Sequence, residues 1–202
     1  MEKINNCIAI RGREGLVNDC WVYDLDSSIK AAKFPMSTDI SDLDSEITKG
    51  IRKLAMANKG EGHDNWLNGI LVAFDLTFSN KAWVEMERYH FIDFVSSQST
   101  MHRITKFDVD EQMNNYVDPA IKKVMKSLIR AYNDNPTPKN YLKVLYSNPA
   151  GFKLTARLTT NYRQLKTIYS QRKDHRLPEW REFCEWMKME LPYSEFITGE
   201  ED

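Results

Sequence analysis

Apolar residues recur along the chain with two periods. Leu165, Ile168, Tyr169 and Arg172 fall at i, i+3, i+4 and i+7, which predicts one helix over residues 159–172 whose apolar stripe ends in a polar tip. Arg172 is therefore aimed inward. A second helix is expected over residues 178–191, opened by Pro178. Ile40, Leu43, Ile47, Ile51 and Leu54 mark a helix over residues 39–58 that residues 59–62 close. Trp83, Met86, Tyr89 or His90, and Asp93 or Phe94 mark another over residues 81–94. A helix over residues 111–132 is entered or interrupted at Pro119, and one over residues 138–146 begins at Pro138. Residues 133–138 join them as a linker within the domain. Strict alternation of Val72, Phe74, Leu76 and Phe78 against Ala73, Asp75 and Thr77 predicts a strand within residues 66–78. Phe152, Leu154, Ala156 and Leu158 predict another over residues 152–159. Residues 7–10 and 21–23 read as two short strands, and residues 25–38 and 95–103 as loops. This order favours a single α+β domain over residues 1–202, with helices packed on a mixed or antiparallel sheet.

Charge and cysteine content remove several function classes. Lys+Arg of 28 against Asp+Glu of 29 leaves almost no net charge, so nothing in the balance calls for nucleic acid or an anionic membrane. No apolar run reaches bilayer length, and the first residues, Met1 to Asn6, lack the apolar core of a signal peptide. A cytoplasmic protein is expected. Cys7, Cys20 and Cys184 are too few and too scattered for a disulfide framework or a zinc cluster, and are read as reduced and mostly buried. His63, His90, His102 and His175 show no ligand spacing with them, so no metal is expected. Gly12 and Gly15 are compatible with a phosphate loop, but no Gly-Lys-Ser/Thr follows and a plain turn is the reading. Residues 198–202 are expected to fray.

Two stretches carry candidate chemistry. At about 100° per residue, Asn161 and Arg172 lie about 20° apart in azimuth and about 16 Å apart along a common helix, whereas Arg163 lies about 200° round from Asn161. One helix could then serve sites on opposite sides, which suits an oligomer. The plainer alternative makes Asn161 an N-cap, Gln164 its capping-box partner and the arginines surface groups. Residues 95–103 are hydroxyl-rich and end in His102 and Arg103, a composition able to receive an anionic ligand or simply to cap its own backbone.

The run Asn161-x-Arg163-x-Leu165, then Arg172-x-Asp174 and Trp180, with Pro149 upstream, resembles the C-terminal part of flavin-dependent thymidylate synthases. Arg88-Tyr89-His90 and the segment from Ser96 to Arg103 stand where that family has Arg-His-Arg and then Asn-Glu-x-Ser-x-Arg-Tyr. The resemblance implies FAD-dependent reductive methylation, or a related one-carbon modification, of a pyrimidine nucleotide such as dUMP. It further implies methylenetetrahydrofolate as carbon donor, NADPH as reductant of the flavin, and a homotetramer with sites shared between subunits. On this likeness Arg88, His90, Asn161 and Arg163 would hold FAD, while Ser97, Gln98, Arg103 and Arg172 would hold the nucleotide. Arg172 and Ser99 would act at the reacting centre. The chain also departs from the family. Met101 replaces the serine near the substrate carbon, Ser99 the glutamate, Gln98 the asparagine, and Tyr89-His90 the His-Arg pair. Leu145 stands where an arginine binds phosphate, with Lys143 close by, and an upstream histidine finds Asn68 or Gly69, with His63 near. Two further readings stay open: a non-catalytic nucleotide- or protein-binding protein that keeps the fold, and an unrelated α+β domain.

Overall fold

The computed structural model describes residues 3–4, 6–58 and 60–200. Lys59, expected to help close a helix, lies outside them, as do residues 1, 2 and 5 at the start and 201–202 of the tail expected to fray. The contacts divide into two compact units. The first comprises Met1–Leu76, Tyr89–Val95 and Arg157–Asp202, and the second Thr77–Arg88 and Ser96–Ala156.

Six strands form one sheet: β1 (Lys3–Ile4), β2 (Cys7–Ile10), β3 (Val17–Tyr23), β4 (Leu71–Ser79), β5 (Asp93–Ser97) and β6 (Lys153–Asn161), in the order β1-β2-β3-β4-β6-β5. Strands β1 to β4 pair antiparallel. The amide of Tyr162 donates to Ile70 O at 3.0 Å and that of Asn80 to Phe152 O at 2.9 Å, so β6 also runs antiparallel to β4. The α+β expectation therefore holds, in its antiparallel form. Between β2 and β3 the chain turns through Arg13, whose carbonyl receives the amides of Leu16 and Val17. A Cβ on Gly12 would meet Val17 O at 2.4 Å and Gly15 sits at φ 71°, so both glycines serve the turn.

In the first unit α1 (Leu25–Ala31), α2 (Lys49–Ala55), α8 (Tyr162–Arg172), α9 (Pro178–Glu190) and α10 (Glu195–Thr198) accompany the sheet. Pro178 opens α9, and Trp180, Phe183, Cys184 and Met187 repeat at helical spacing on its buried side. Phe74 of β4 meets Phe183 at 5.6 Å and Trp186 at 5.9 Å, and Phe183 stacks on Trp186 at 5.7 Å. Such ring pairs add about 0.5–1.5 kcal/mol each beyond the area they bury. The second unit holds α3 (Asn80–Met86), α4 (Thr100–Arg103), α5 (Val109–Gln112), α6 (Pro119–Asp134) and α7 (Pro138–Tyr146), and its core cluster is Ile104, Val109, Met113, Met125, Val144 and Phe152.

Where expectation and structure differ, local polar groups explain most of it. Residues 25–38, read as a loop, contain α1 and a 3-10 turn (Phe34–Met36), because Leu25 and Ile29 are buried one helical turn apart. The helix predicted over residues 39–58 shrinks to α2. Asp39 captures the amide of Ser41 and Asp44 that of Glu46, and helix begins only where Thr48 Oγ1 caps Ile51. Trp66 lies in a 3-10 turn (Asn65–Gly69), so the strand starts later than expected. The helix expected over residues 81–94 ends at Met86, and Asp93–Ser97 becomes an edge strand after Thr160 Oγ1 reaches Phe91 O at 2.7 Å. Residues 95–103 are thus strand end and α4, and residues 159–161 belong to β6. Residue 200 does not fray: Lys188 and Tyr169 hold the Glu200 carboxylate at 2.6 and 3.2 Å. Chain entry into α6 at Pro119 and the bounds of α7 agree with the pattern.

Burial pushes the Cys20 and Cys184 thiols up to about 12, whereas Cys7 is only half-buried. A thiol reagent at about pH 8 should therefore modify one of the three cysteines in the folded protein and the other two only on unfolding, since the thiolate is the reacting form. Labelling of Cys184 as fast as Cys7, read by peptide mass spectrometry, would contradict this.

Candidate functional site

The helix α8 starts where β6 stops. Asn161 is the last residue of the strand, and its Oδ1 accepts the Gln164 amide at 2.9 Å, so it is an N-cap. Its extended backbone removes it from the helical wheel, and the shared face with Arg172 expected from spacing does not exist. The Asn161 Nδ2 has no partner among the described residues.

Arg163 and Lys166 converge on one carboxylate. Arg163 Nε donates to Asp64 Oδ1 at 3.1 Å and Lys166 Nζ to Oδ2 at 2.9 Å, while the Asp64 side chain is 4% exposed. Lys166 Nζ also donates to Ala55 O and Ala57 O at 2.7 and 2.8 Å, closing the end of α2. Neither Nη of Arg163 has a partner among the described residues, so the pair fixes the guanidinium by one edge and leaves the other open.

Arg172, in the last turn of α8, points inward as its stripe predicts. Its Nε donates to Tyr89 Oη at 2.8 Å, and Tyr89 Oη donates in turn to Gln171 Oε1 at 3.0 Å. The guanidinium carbon lies 4.7 Å from the Trp180 ring centre and 5.6 Å from that of Tyr89. Contacts of this kind contribute about 0.5–2 kcal/mol each, more as water is excluded. Trp180 is fully buried and meets Tyr89 edge-on at 6.0 Å, so the stacking surface is rigid. Nη1 lies 2.9 Å from His175 Nε2. The Leu177 amide approaches His175 Nδ1 at 3.2 Å. A neutral imidazole offers one acceptor nitrogen and an arginine can only donate, so the two contacts call for opposite tautomers of the His175 ring. His90, next to Tyr89, is exposed and has no polar partner among the described residues.

The remaining sequence-predicted residues belong to the second unit. Arg88 and Arg103 are exposed and make no ion pair among the described residues. Ser97 is exposed at the end of β5, and Ser99 precedes α4 without capping it by its side chain. Gln98 is partly committed: its amide donates to Thr155 O and its Oε1 accepts from Thr155 N, both at 2.9 Å, which leaves Nε2 as its outward group. Met101 is 58% exposed. Leu145 packs against the core around Phe152, whereas Lys143 is exposed. His63 is exposed beside an open cavity of about 1970 Å³, lined by α2 and by residues 188–195, into which none of the predicted site residues projects.

Sequence reading missed Asp64, Lys166, Tyr89 and His175 as partners of the two arginines. Lone polar residues distant in the chain carry no periodic signal. Tyr89 alone was visible, as a departure from the family pattern.

No protein-family model and no curated protein sequence matches this chain. Its fold is nevertheless shared with solved structures. Thymidylate synthase X from Helicobacter pylori, with FAD and dUMP, aligns at a TM-score of 0.69 and 14% identity over 89% of this chain and 94% of that one. A second Helicobacter pylori flavin-dependent thymidylate synthase structure, again with FAD and dUMP, gives 0.68 at 14% identity over 89% and 95%. A UMP/dUMP methylase from Streptomyces cacaoi bound with 5-bromo-dUMP gives 0.59 at 14% identity over 90% of each chain. At that identity the likeness is one of fold. It supports the fold expected from the resemblance.

Replacing Asp64 with Ala leaves Lys166 and Arg163 without their anion, but both are partly exposed and can regain water. The expected loss is about 1–3 kcal/mol, below the 3–5 typical when a fully buried partner is stranded. Urea denaturation measures it, and an unchanged midpoint would show that the pair does not hold α8.

Proposed function

We propose that this chain binds a pyrimidine nucleotide and FAD and carries out FAD-dependent one-carbon transfer to the pyrimidine ring, reductive methylation of dUMP being the reference reaction. The observation that carries the reading is Arg172: a guanidinium directed off the apolar stripe of α8 and oriented by Tyr89 and Trp180, in a fold shared with proteins solved with dUMP. Held in that way, its N–H donors can meet a ring carbonyl and stabilise negative charge as it grows there. In the second unit Ser97, Gln98 and Arg103 are exposed donors, Arg103 without an ion pair among the described residues, and are assigned to nucleotide binding on the resemblance alone. Ser99 carries a hydroxyl two positions before Met101, the residue that stands where the resemblance has a serine.

FAD fits the donors present. In the first unit Asn161 Nδ2, the open edge of Arg163 and His90 are unsatisfied among the described residues and suit an anionic, carbonyl-bearing ligand; Arg88, of the second unit, is assigned to FAD on the resemblance alone. When bound, FAD would supply the hydride chemistry, with methylenetetrahydrofolate as carbon source and NADPH as reductant. The chain's own part is binding, orientation and charge stabilisation.

The assembly belongs to the same reading. Edge strand β5 is exposed along its whole length, and Phe91, Phe94 and Val95 present apolar surface there. An uncovered apolar edge is covered in stable proteins, and we assign its partner as a second copy, within a homotetramer that completes the site. We place the protein in the cytoplasm. Among the described residues no helix is long and apolar enough to cross a membrane.

Leu145 favours a second reading, a non-catalytic binder. Position 145 is spent on the core of the second unit and gives nothing to a phosphate.

Incubation with FAD and removal of excess should leave a visible flavin spectrum, and calorimetry with dUMP should show saturable binding. Arg172→Ala should weaken dUMP about ten- to a hundredfold, the worth of one charged hydrogen bond. A flavin-free spectrum with intact dUMP binding would select the second reading, and no binding of either would refute the first. Light scattering should give an assembly several times the 23.7 kDa chain mass, and a stable, folded monomer would remove the shared-site part.

A further inference from the structure

The geometry points to a partner exchange at Arg172: we propose that His175 is its resting partner, occupying the acceptor position that a nucleotide oxygen takes, and that Tyr89 is the fixed pivot. This rests on the nucleotide reading above and names the positioning residues of that same site.

The two contacts of Arg172 differ in kind. Tyr89 Oη has one lone-pair partner in Arg172 Nε at 2.8 Å and gives its own proton to Gln171 Oε1 at 3.0 Å, so donor and acceptor roles are both met without conflict. Tyr89 is buried, and its ring also meets Trp180. That arrangement has no reason to open. His175 is half-exposed, and its Nε2 lies 2.9 Å from Arg172 Nη1 while its Nδ1 lies 3.2 Å from the Leu177 amide, so the two contacts call for opposite tautomers of the neutral ring. When Nη1 leaves, the ring can carry its proton on Nε2 and accept from the Leu177 amide at Nδ1, which offsets the bond given up. Because a guanidinium is rigid and planar, pinning Nε to Tyr89 while the plane lies over Trp180 at 4.7 Å restricts motion to a small swing of the Nη atoms. At Nη1 an incoming carbonyl or phosphate oxygen would displace a neutral imidazole nitrogen.

The two residues should therefore act with opposite signs, which a merely structural role would not produce. Calorimetry with dUMP should show about three- to tenfold tighter binding for His175→Ala, where the competitor is gone, and about three- to tenfold weaker binding for Tyr89→Phe, which keeps the ring and loses the pivot. His175→Phe retains a ring edge against Trp180 without the acceptor and should match His175→Ala, guarding against a folding defect in either. Weaker or unchanged binding in both folded His175 variants overturns the resting-partner role. The pivot has its own readout without nucleotide. The Arg172 Nε–H resonance, assigned by its loss in Arg172→Lys, should exchange slowly with water in the wild type and in His175→Ala, and fast in Tyr89→Phe. Slow exchange in Tyr89→Phe overturns the pivot. If wild type binds no dUMP, the nucleotide reading fails and the His175 half falls with it, while the Nε–H measurement still decides Tyr89.

Discussion

A carboxylate withdrawn from water has to be answered by charge, and the half of the molecule around α8 is arranged to answer Asp64. Its two oxygens take Arg163 and Lys166 from successive positions on one helix face, so the azimuth of α8 is set to within the reach of two side chains. Lys166 extends the constraint to the end of α2 through Ala55 O and Ala57 O. Replacement of such an arrangement by apolar residues can be neutral for stability, so its presence speaks more for orientation than for strength. What it orients is Arg163, whose outer edge is held ready by a bond to its inner one.

Arg172 repeats that logic about two and a half turns along. A neutral hydroxyl replaces the carboxylate, and the faces of Trp180 and Tyr89 replace the second cation in restricting movement. In both places Nε is the anchored atom. The anchor at Nε then restricts where the Nη atoms of a planar fork can lie. Catalysis that depends on positioning and electrostatics needs that kind of preorganisation more than it needs an added reactive group.

The second unit shows the opposite trade. A side chain cannot both fill a core and reach a ligand, and Leu145 fills the core beside Phe152 and Val144. Gln98 is intermediate, with its carbonyl oxygen spent on β6 and its nitrogen left outward. Arg88, Arg103, Ser97 and Ser99 keep their polar groups exposed. The second unit thus exposes two arginines while position 145 serves packing.

Periodicity determined the long elements by itself. The apolar stripe of α8, the aromatic repeat of α9, the alternation of β4 and β6 and the proline starts of α6 and α7 each bury a face large enough that only one secondary structure satisfies it. The inward aim of Arg172 followed from the same stripe. Short or polar segments were decided only in three dimensions. Residues 39–48 have a helical pattern, but Asp39 and Asp44 bind nearby amides more cheaply than a helix without a deep face to bury. Residues 93–97 read as helix or loop until pairing along the sheet edge made them a strand. The partners of the arginines were likewise beyond the sequence, because Asp64, Tyr89 and His175 meet Arg163 and Arg172 across distant chain positions. A hydrogen bond has no period, so the residue types were legible in the sequence while the pairing that gives them a task was decided by the tertiary fold.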